Sequence, residues 1–193
     1  DLALAVAGLV RVSLNPRLAP PDWDGIRQDC RAGAVILDDR IDGASAWLRD
    51  VSRPFSLVVV TARSHPNAHI TIDEIISTAE DSAILPIPDP QSVCALHYSS
   101  GTTGAPKGAQ RTHANRLASA EAMRRHVLEP TLDPVAGNAP VFLHAGPLVH
   151  TSGLFVLPML QLGARQVLID HPRPADIVSA VAAHEVSHTV LIP

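Results

Sequence analysis

The chain has 193 residues, 46% of them hydrophobic and 18% charged, with a formal net charge of −4 at pH 7. That composition excludes intrinsic disorder, and a chain of this size buries about 70% of its unfolded surface as one domain or as a large piece of a bigger one. The 14 arginines are scattered without a basic block, which argues against a nucleic-acid footprint, and no apolar stretch reaches the roughly 18 residues of a membrane span.

The sequence opens on Asp1-Leu2-Ala3 in mid-pattern, without an initiator Met or a helix cap, and stops at Pro193 directly after an apolar run. Both ends read as cut from a longer chain. Val10 to Leu14 reads as a short buried strand, followed by a loop marked by Pro16, Pro20 and Pro21. A helix is expected from Asp22 to Cys30 with Gly33 as its stop, then a strand from Ala34 to Leu37, a helix from Ser45 to Val51 and a strand from Phe55 to Val60. Ile72 to Ala79 reads as a helix. Leu85-Pro86-Ile87-Pro88-Asp89-Pro90 is a stiff connector that neither a helix nor a central strand would tolerate.

Val93 to Tyr98 is the next expected strand and leads into a loop of Ser, Gly and Thr. A helix is expected from His113 to Glu129, a strand from Val141 to His144, a helix from Gly153 to Leu162 stopped by Gly163, and a strand from Arg165 to Ile169. Pro174 suits the first turn of a helix through Ala183, and His188 to Ile192 closes as a strand. This alternation predicts an α/β fold with a layered, largely parallel sheet and flanking helices. Three segments are expected: a first α/β segment over 1–80, a Pro-rich connector over 81–92, and a segment over 93–193 that carries the Ser/Gly/Thr loop.

That loop, Tyr98-Ser99-Ser100-Gly101-Thr102-Thr103-Gly104-Ala105-Pro106-Lys107-Gly108, is the most informative part of the chain. A polyphosphate needs many short donors, namely backbone N–H groups exposed by glycine and hydroxyls on short stems, together with a cation. Lys107 is the only lysine in the chain. The spacing is not that of a Walker A loop, because Pro106 stands where the second glycine would be and no Ser or Thr follows Lys107.

The same eleven residues resemble the signature loop of the AMP-forming adenylating enzymes, the superfamily of acyl-CoA synthetases, luciferases and peptide-synthetase adenylation domains. Ser99 stands where that family usually has Thr. Thr112-His113-Ala114-Asn115 continues the likeness, and Leu14-Asn15-Pro16-Arg17-Leu18 resembles an upstream turn of the family, with Ser13 in place of its proline. Pro147-Leu148-Val149-His150-Thr151-Ser152-Gly153 resembles its second landmark.

The resemblance implies part of the large N-terminal domain of an acyl-CoA synthetase-like enzyme, with a C-terminal domain of the same chain lying outside this sequence. It implies ATP and Mg2+, with coenzyme A as co-substrate and a small carboxylic acid as substrate. Ser99, Ser100, Gly101, Thr102, Thr103, Gly104 and Lys107 would cradle the phosphates, with Ser99 also a magnesium ligand, and His150 would orient the carboxylate. Amino-acid-activating relatives carry a Phe-Asp pair where this chain has Val149-His150, so a fatty or aryl acid is expected. The piece by itself is expected not to turn over. The alternatives are a non-catalytic nucleotide-binding module and, behind it, a zinc hydrolase using His184, Glu185 and His188.

His184-Glu185-Val186-Ser187-His188 matches the H-E-x-x-H pattern of zinc peptidases, which works only when both histidines share one face of a continuous helix. The β-branched residues Val186, Thr189 and Val190 argue that the helix ends near Glu185 and leaves His188 in a strand. Cys30 and Cys94, far apart and without a partner motif, read as small core residues in a reducing, cytoplasmic compartment. Trp23 and Trp47 are expected to be partly buried, and His65, His69 and His171 to be solvated. Arg124, Arg125 and His126 read as the polar end of a helix.

Overall fold

Short β-branched runs make strands in this chain, and Pro- or Thr-led segments make helices. A computed structural model describes residues 1–38, 40–50, 55–61, 66–80, 85, 87–99, 107–132, 139–170 and 172–191, with Ser99 described by its backbone alone. The chain divides into two compact units, Asp1–Thr112 and His113–Pro193.

The first unit contains α1 (Leu2–Val6), β1 (Arg11–Val12), α2 (Pro20–Cys30), β2 (Ala34–Leu37), α3 (Ala44–Asp50), β3 (Leu57–Val60), β4 (Ile70–Thr71), α4 (Ile72–Thr78), β5 (Val93–Ser99) and β6 (Lys107–Thr112). β2, β3 and β4 form a parallel sheet in that order, with Val35 opposite Val58 and Leu37 opposite Val60. In the other sheet β5 lies between β1, to which it is parallel, and β6, to which it is antiparallel. The largely parallel α/β architecture is therefore present, with one antiparallel hairpin set into it.

Two tryptophans organise the core. Trp23 and Trp47 meet edge-on at 5.6 Å, and Trp47 meets Phe55 at 5.5 Å, packed with Val35, Leu37, Leu48, Val58 and Val60. Both indoles are buried, more deeply than the partial burial expected of them. The Trp23 indole N–H donates to the Asn15 carbonyl at 3.0 Å, which satisfies its polar edge. Cys94 is fully buried, as expected, whereas Cys30 is only half-buried and its thiol is pushed above its usual range by desolvation.

Local caps explain several boundaries. Pro20 and Pro21 open α2, where their missing N–H groups cost nothing. Its end differs from expectation: Arg31, not Gly33, takes the left-handed conformation (φ +54°) that terminates it. Thr71 and Glu74 form a reciprocal cap on α4. The Thr71 hydroxyl accepts the Glu74 N–H at 3.2 Å, and the Glu74 carboxylate accepts the Thr71 N–H at 2.8 Å. His69 is exposed, as expected, yet its Nδ1 accepts the Val58 N–H at 2.9 Å. His65 and His171 lie outside the described residues.

The second unit contains α5 (His113–Met123), a π-helical turn (Arg124–Leu128), a 3-10 turn (Glu129–Thr131), β7 (Val141–His144), a second 3-10 turn (Thr151–Phe155), α6 (Val156–Gln161), β8 (Arg165–Leu168), α7 (Pro174–His184) and β9 (His188–Thr189). Its sheet is parallel in the order β8-β7-β9, with Leu143 opposite Val167 and Thr189. Phe142, Leu143 and His144 on the central strand are buried, and Phe142 stacks on Phe155 at 5.1 Å beside Met159.

The single helix expected from Gly153 to Leu162 is divided. A helix begun at Gly153 would set the Pro158 ring against the carbonyl of Leu154, whereas α6, begun at Val156, holds Pro158 in its first turn. Gly163 follows with φ +67°, the expected stop. The helix expected through Glu129 changes to a π turn after Met123, where Glu121 gathers Arg124 at 2.8 Å and also Arg125.

Candidate functional site

β6 is a strand that hydrophobic patterning does not reveal. Lys107-Gly108-Ala109-Gln110-Arg111-Thr112 has no apolar alternation, and its first four residues are exposed. Its backbone nevertheless pairs along the length of β5, from Val93 opposite Thr112 to Ser99 opposite Lys107. Backbone pairing makes this element a strand, and its side chains contribute little.

The last pairs of the ladder set the geometry. Ser99 and Lys107 are cross-strand partners, so residues 100–106 are the connection of one antiparallel hairpin. Lys107 is exposed at the head of β6. Ser100, Gly101, Thr102, Thr103 and Gly104 lie outside the described residues. One pair earlier, Tyr98 faces Gly108, and the Tyr98 ring occupies the space that any side chain there would need: a Cβ on residue 108 would come within 2.8 Å of the ring.

The Tyr98 hydroxyl donates to the Asp29 carboxylate on α2. Burial first, and then this hydrogen bond, push the phenol above its usual range, so it remains the neutral donor. Tyr98 thus ties the loop-bearing end of the hairpin to α2. Asp29 was not among the residues singled out from sequence. It lies 69 positions upstream, and no local pattern connects the two.

In the second unit His150 ends a tight turn between β7 and the 3-10 turn. Its N–H donates to the Pro147 carbonyl at 3.1 Å, and its own carbonyl accepts the Gly153 N–H at 3.0 Å. The His150 side chain is exposed. Behind it lies a buried polar chain that sequence reading passed over. His144 is 2% exposed; its Nδ1 lies 2.9 Å from the Ser152 hydroxyl, and its Nε2 lies 2.7 Å from the Gln166 side-chain oxygen. Gln166 Nε2 donates to the Val156 carbonyl at 3.1 Å.

The His184–His188 pattern does not form a shared ligand face. α7 ends at His184, Glu185 takes the left-handed conformation (φ +52°), and His188 belongs to β9. The His188 ring nitrogens lie 2.9 Å from Thr131 Oγ1 and 2.7 Å from Ser187 Oγ. Among the described residues, no three His, Cys, Asp or Glu side chains gather as a metal site, and no helix is long and apolar enough to cross a membrane.

Each unit carries a parallel sheet with flanking helices, and in the first unit the β5–β6 pair, whose intervening sequence is rich in glycine and hydroxyl residues, sets an antiparallel edge beside the parallel β1. The chain belongs to the AMP-binding enzyme family, whose model matches residues 1–193. It is 30% identical to a 4-coumarate–CoA ligase-like protein of Oryza sativa subsp. japonica over 208 residues, covering 100% of this chain and 34% of that protein. It is 24% identical to the medium/long-chain-fatty-acid–CoA ligase FadD8 of Mycobacterium tuberculosis, covering 96% of this chain and 32% of that one. Its fold matches that of the anthranilate CoA ligase AuaEII, solved with anthranoyl-AMP, with a TM-score of 0.75 at 22% identity over 94% of this chain and 35% of that one. The chain spans about a third of the length of these relatives.

Proposed function

We propose that the whole protein activates a carboxylic acid at the expense of ATP and transfers it to coenzyme A, and that this chain supplies its phosphate-binding and carboxylate-orienting residues. Within that protein the chain would be part of the large N-terminal domain, with the C-terminal domain further along the same polypeptide. The observation that carries the reading is the hairpin: Ser99 at the end of β5 is paired with Lys107 at the head of β6, so the chain's lysine lies directly across from the first hydroxyl residue of the motif.

The donor set fits a nucleotide triphosphate. Short hydroxyls and glycine N–H groups match phosphate oxygens, and the Lys107 ammonium is a compact charge suited to the β- and γ-phosphates. Ser99 would hold a magnesium ion through its neutral hydroxyl oxygen, and the metal would supply charge neutralisation.

In the reaction, a carboxylate oxygen bonds to the α-phosphorus while the bond from that phosphorus to the bridging oxygen of the β-phosphate breaks, releasing pyrophosphate. Lys107 and the loop hold the departing phosphates. His150 donates to the oxygens crowded together as the two anions meet, where a fixed donor has its greatest effect. The coenzyme A thiol, giving up its proton to solvent, then attacks the acyl carbon, and the bond from that carbon to the AMP phosphate oxygen breaks, AMP leaving with the electron pair.

The substrate is a fatty or aryl acid. Val149-His150 stands where amino-acid-activating relatives carry a Phe-Asp pair, whose Asp binds the substrate amine. The relatives with aromatic and long-chain fatty acids in their names support the same choice. Carboxylate-dependent ATP–pyrophosphate exchange by the full-length protein, with fatty, aryl and amino acids in parallel, tests this. Exchange with one of the first two classes is expected. Exchange with amino acids alone refutes the substrate assignment, and none with any acid leaves a non-catalytic nucleotide-binding module.

A further inference from the structure

We infer that His144 is a positioning residue for His150, acting through Ser152 from inside the protein. The inference rests on the proposed role of His150. Its basis is a hydrogen-bond chain with a single consistent direction. Gln166 Nε2 donates to the Val156 carbonyl, so the Gln166 oxygen is the atom facing His144. An amide oxygen only accepts, so His144 carries its proton on Nε2. In the neutral imidazole Nδ1 is then a lone-pair acceptor, and the Ser152 hydroxyl donates to it.

Each member sits on a different element. His144 is on β7, Gln166 on β8, Val156 on α6 and Ser152 in the 3-10 turn that His150 begins. The chain ties that turn to two adjacent strands at a point two residues from His150. The Phe142 ring lies 4.7 Å from the imidazole and stacks on Phe155 at the other end of the same turn, so both ends of the turn are held. Ser152 is itself 2% exposed. Misplacing a catalytic group by an ångström costs on the order of a hundredfold in rate, so an anchor two residues from His150 bears directly on its placement.

The test uses the full-length protein, with pyrophosphate exchange driven by its preferred acid. Ser152→Ala removes the donor and is expected to lower kcat about tenfold with the KM for ATP within about twofold. Ser152→Thr, which keeps the hydroxyl, is expected to restore most of the rate. Gln166→Leu releases the far end of the chain and is expected to lower kcat in the same direction; it decides the matter if Ser152→Ala does not fold. His150→Ala is the reference variant. If His150→Ala loses exchange while Ser152→Ala and Gln166→Leu keep full kcat, or if Ser152→Thr fails to rescue, the positioning role is wrong and the function stands. If the unaltered protein shows no exchange, or His150→Ala keeps full kcat, the reading of His150 fails and this inference falls with it.

Discussion

Gly153 packs against the backbone of Leu148 so closely that a Cβ on residue 153 would lie 1.9 Å from the Leu148 carbonyl oxygen. The obstacle is main chain within the His150 turn, so no side-chain rotation relieves it. Gly153→Ala is therefore expected to destabilise the protein by about 3 kcal/mol or more, at the upper end of overpacking costs. It would also displace His150. A denaturation midpoint unchanged by this substitution would show that the turn has another conformation open to it.

The hairpin has a comparable contact, with a softer obstacle. At Gly108 a new Cβ meets the Tyr98 ring at 2.8 Å, and that ring is tethered through its hydroxyl to Asp29. Gly108→Ala is expected to cost about 1–3 kcal/mol, and Tyr98→Phe, which loses only the hydrogen bond, about 1 kcal/mol. In the double variant Tyr98→Ala with Gly108→Ala the steric part disappears, so the two costs are expected to be less than additive. Strict additivity in urea melts would contradict the contact.

Lys107 heads β6 and is the chain's only lysine. Lys107→Ala is expected to slow adenylation by about 10- to 100-fold in the full-length protein and to raise the KM for ATP. Lys107→Arg is expected to recover little, because a planar fork does not replace a compact ammonium among phosphates. Steady-state kinetics against ATP concentration checks both, and wild-type KM in Lys107→Ala would remove the residue from the phosphate site.

The Glu121 carboxyl is lowered from 4.5 to about 2, first by hydrogen bonds from Arg124, with Arg125 adding to the effect. A carboxyl held lower when folded than when unfolded stabilises the fold above its unfolded value, and that contribution fades as pH falls toward the folded one. The difference in Tm between the wild type and Glu121→Gln is thus expected to be small, level near neutrality and shrinking as pH falls below 4.5. The group is exposed, so the effect is modest and weakens with salt. A difference that grew on acidification would have the wrong sign for this pairing.

Helices led by proline and strands made of short apolar runs were legible from residues alone. Ala34–Leu37 and Val141–His144 lie where the pattern predicts them, and α7 begins at Pro174 as expected. Local rules suffice there, because one residue's preference and its neighbours' burial agree. Arg31 ended α2 two residues before the expected glycine by taking the left-handed conformation itself. β6 was invisible because its only reason to be extended is the backbone of β5.

The candidate site divides in the same way. A motif of glycine, hydroxyls and one lysine is written in residue types, so the sequence by itself determined the family and named the groups proposed to meet phosphate. Only the tertiary structure decided that Ser99 faces Lys107, that Tyr98 reaches Asp29, and that His144 stands behind Ser152. The physical reason is range. A residue's donors, charge and backbone preference are its own, whereas a hydrogen bond between distant residues exists only after the chain has brought them together.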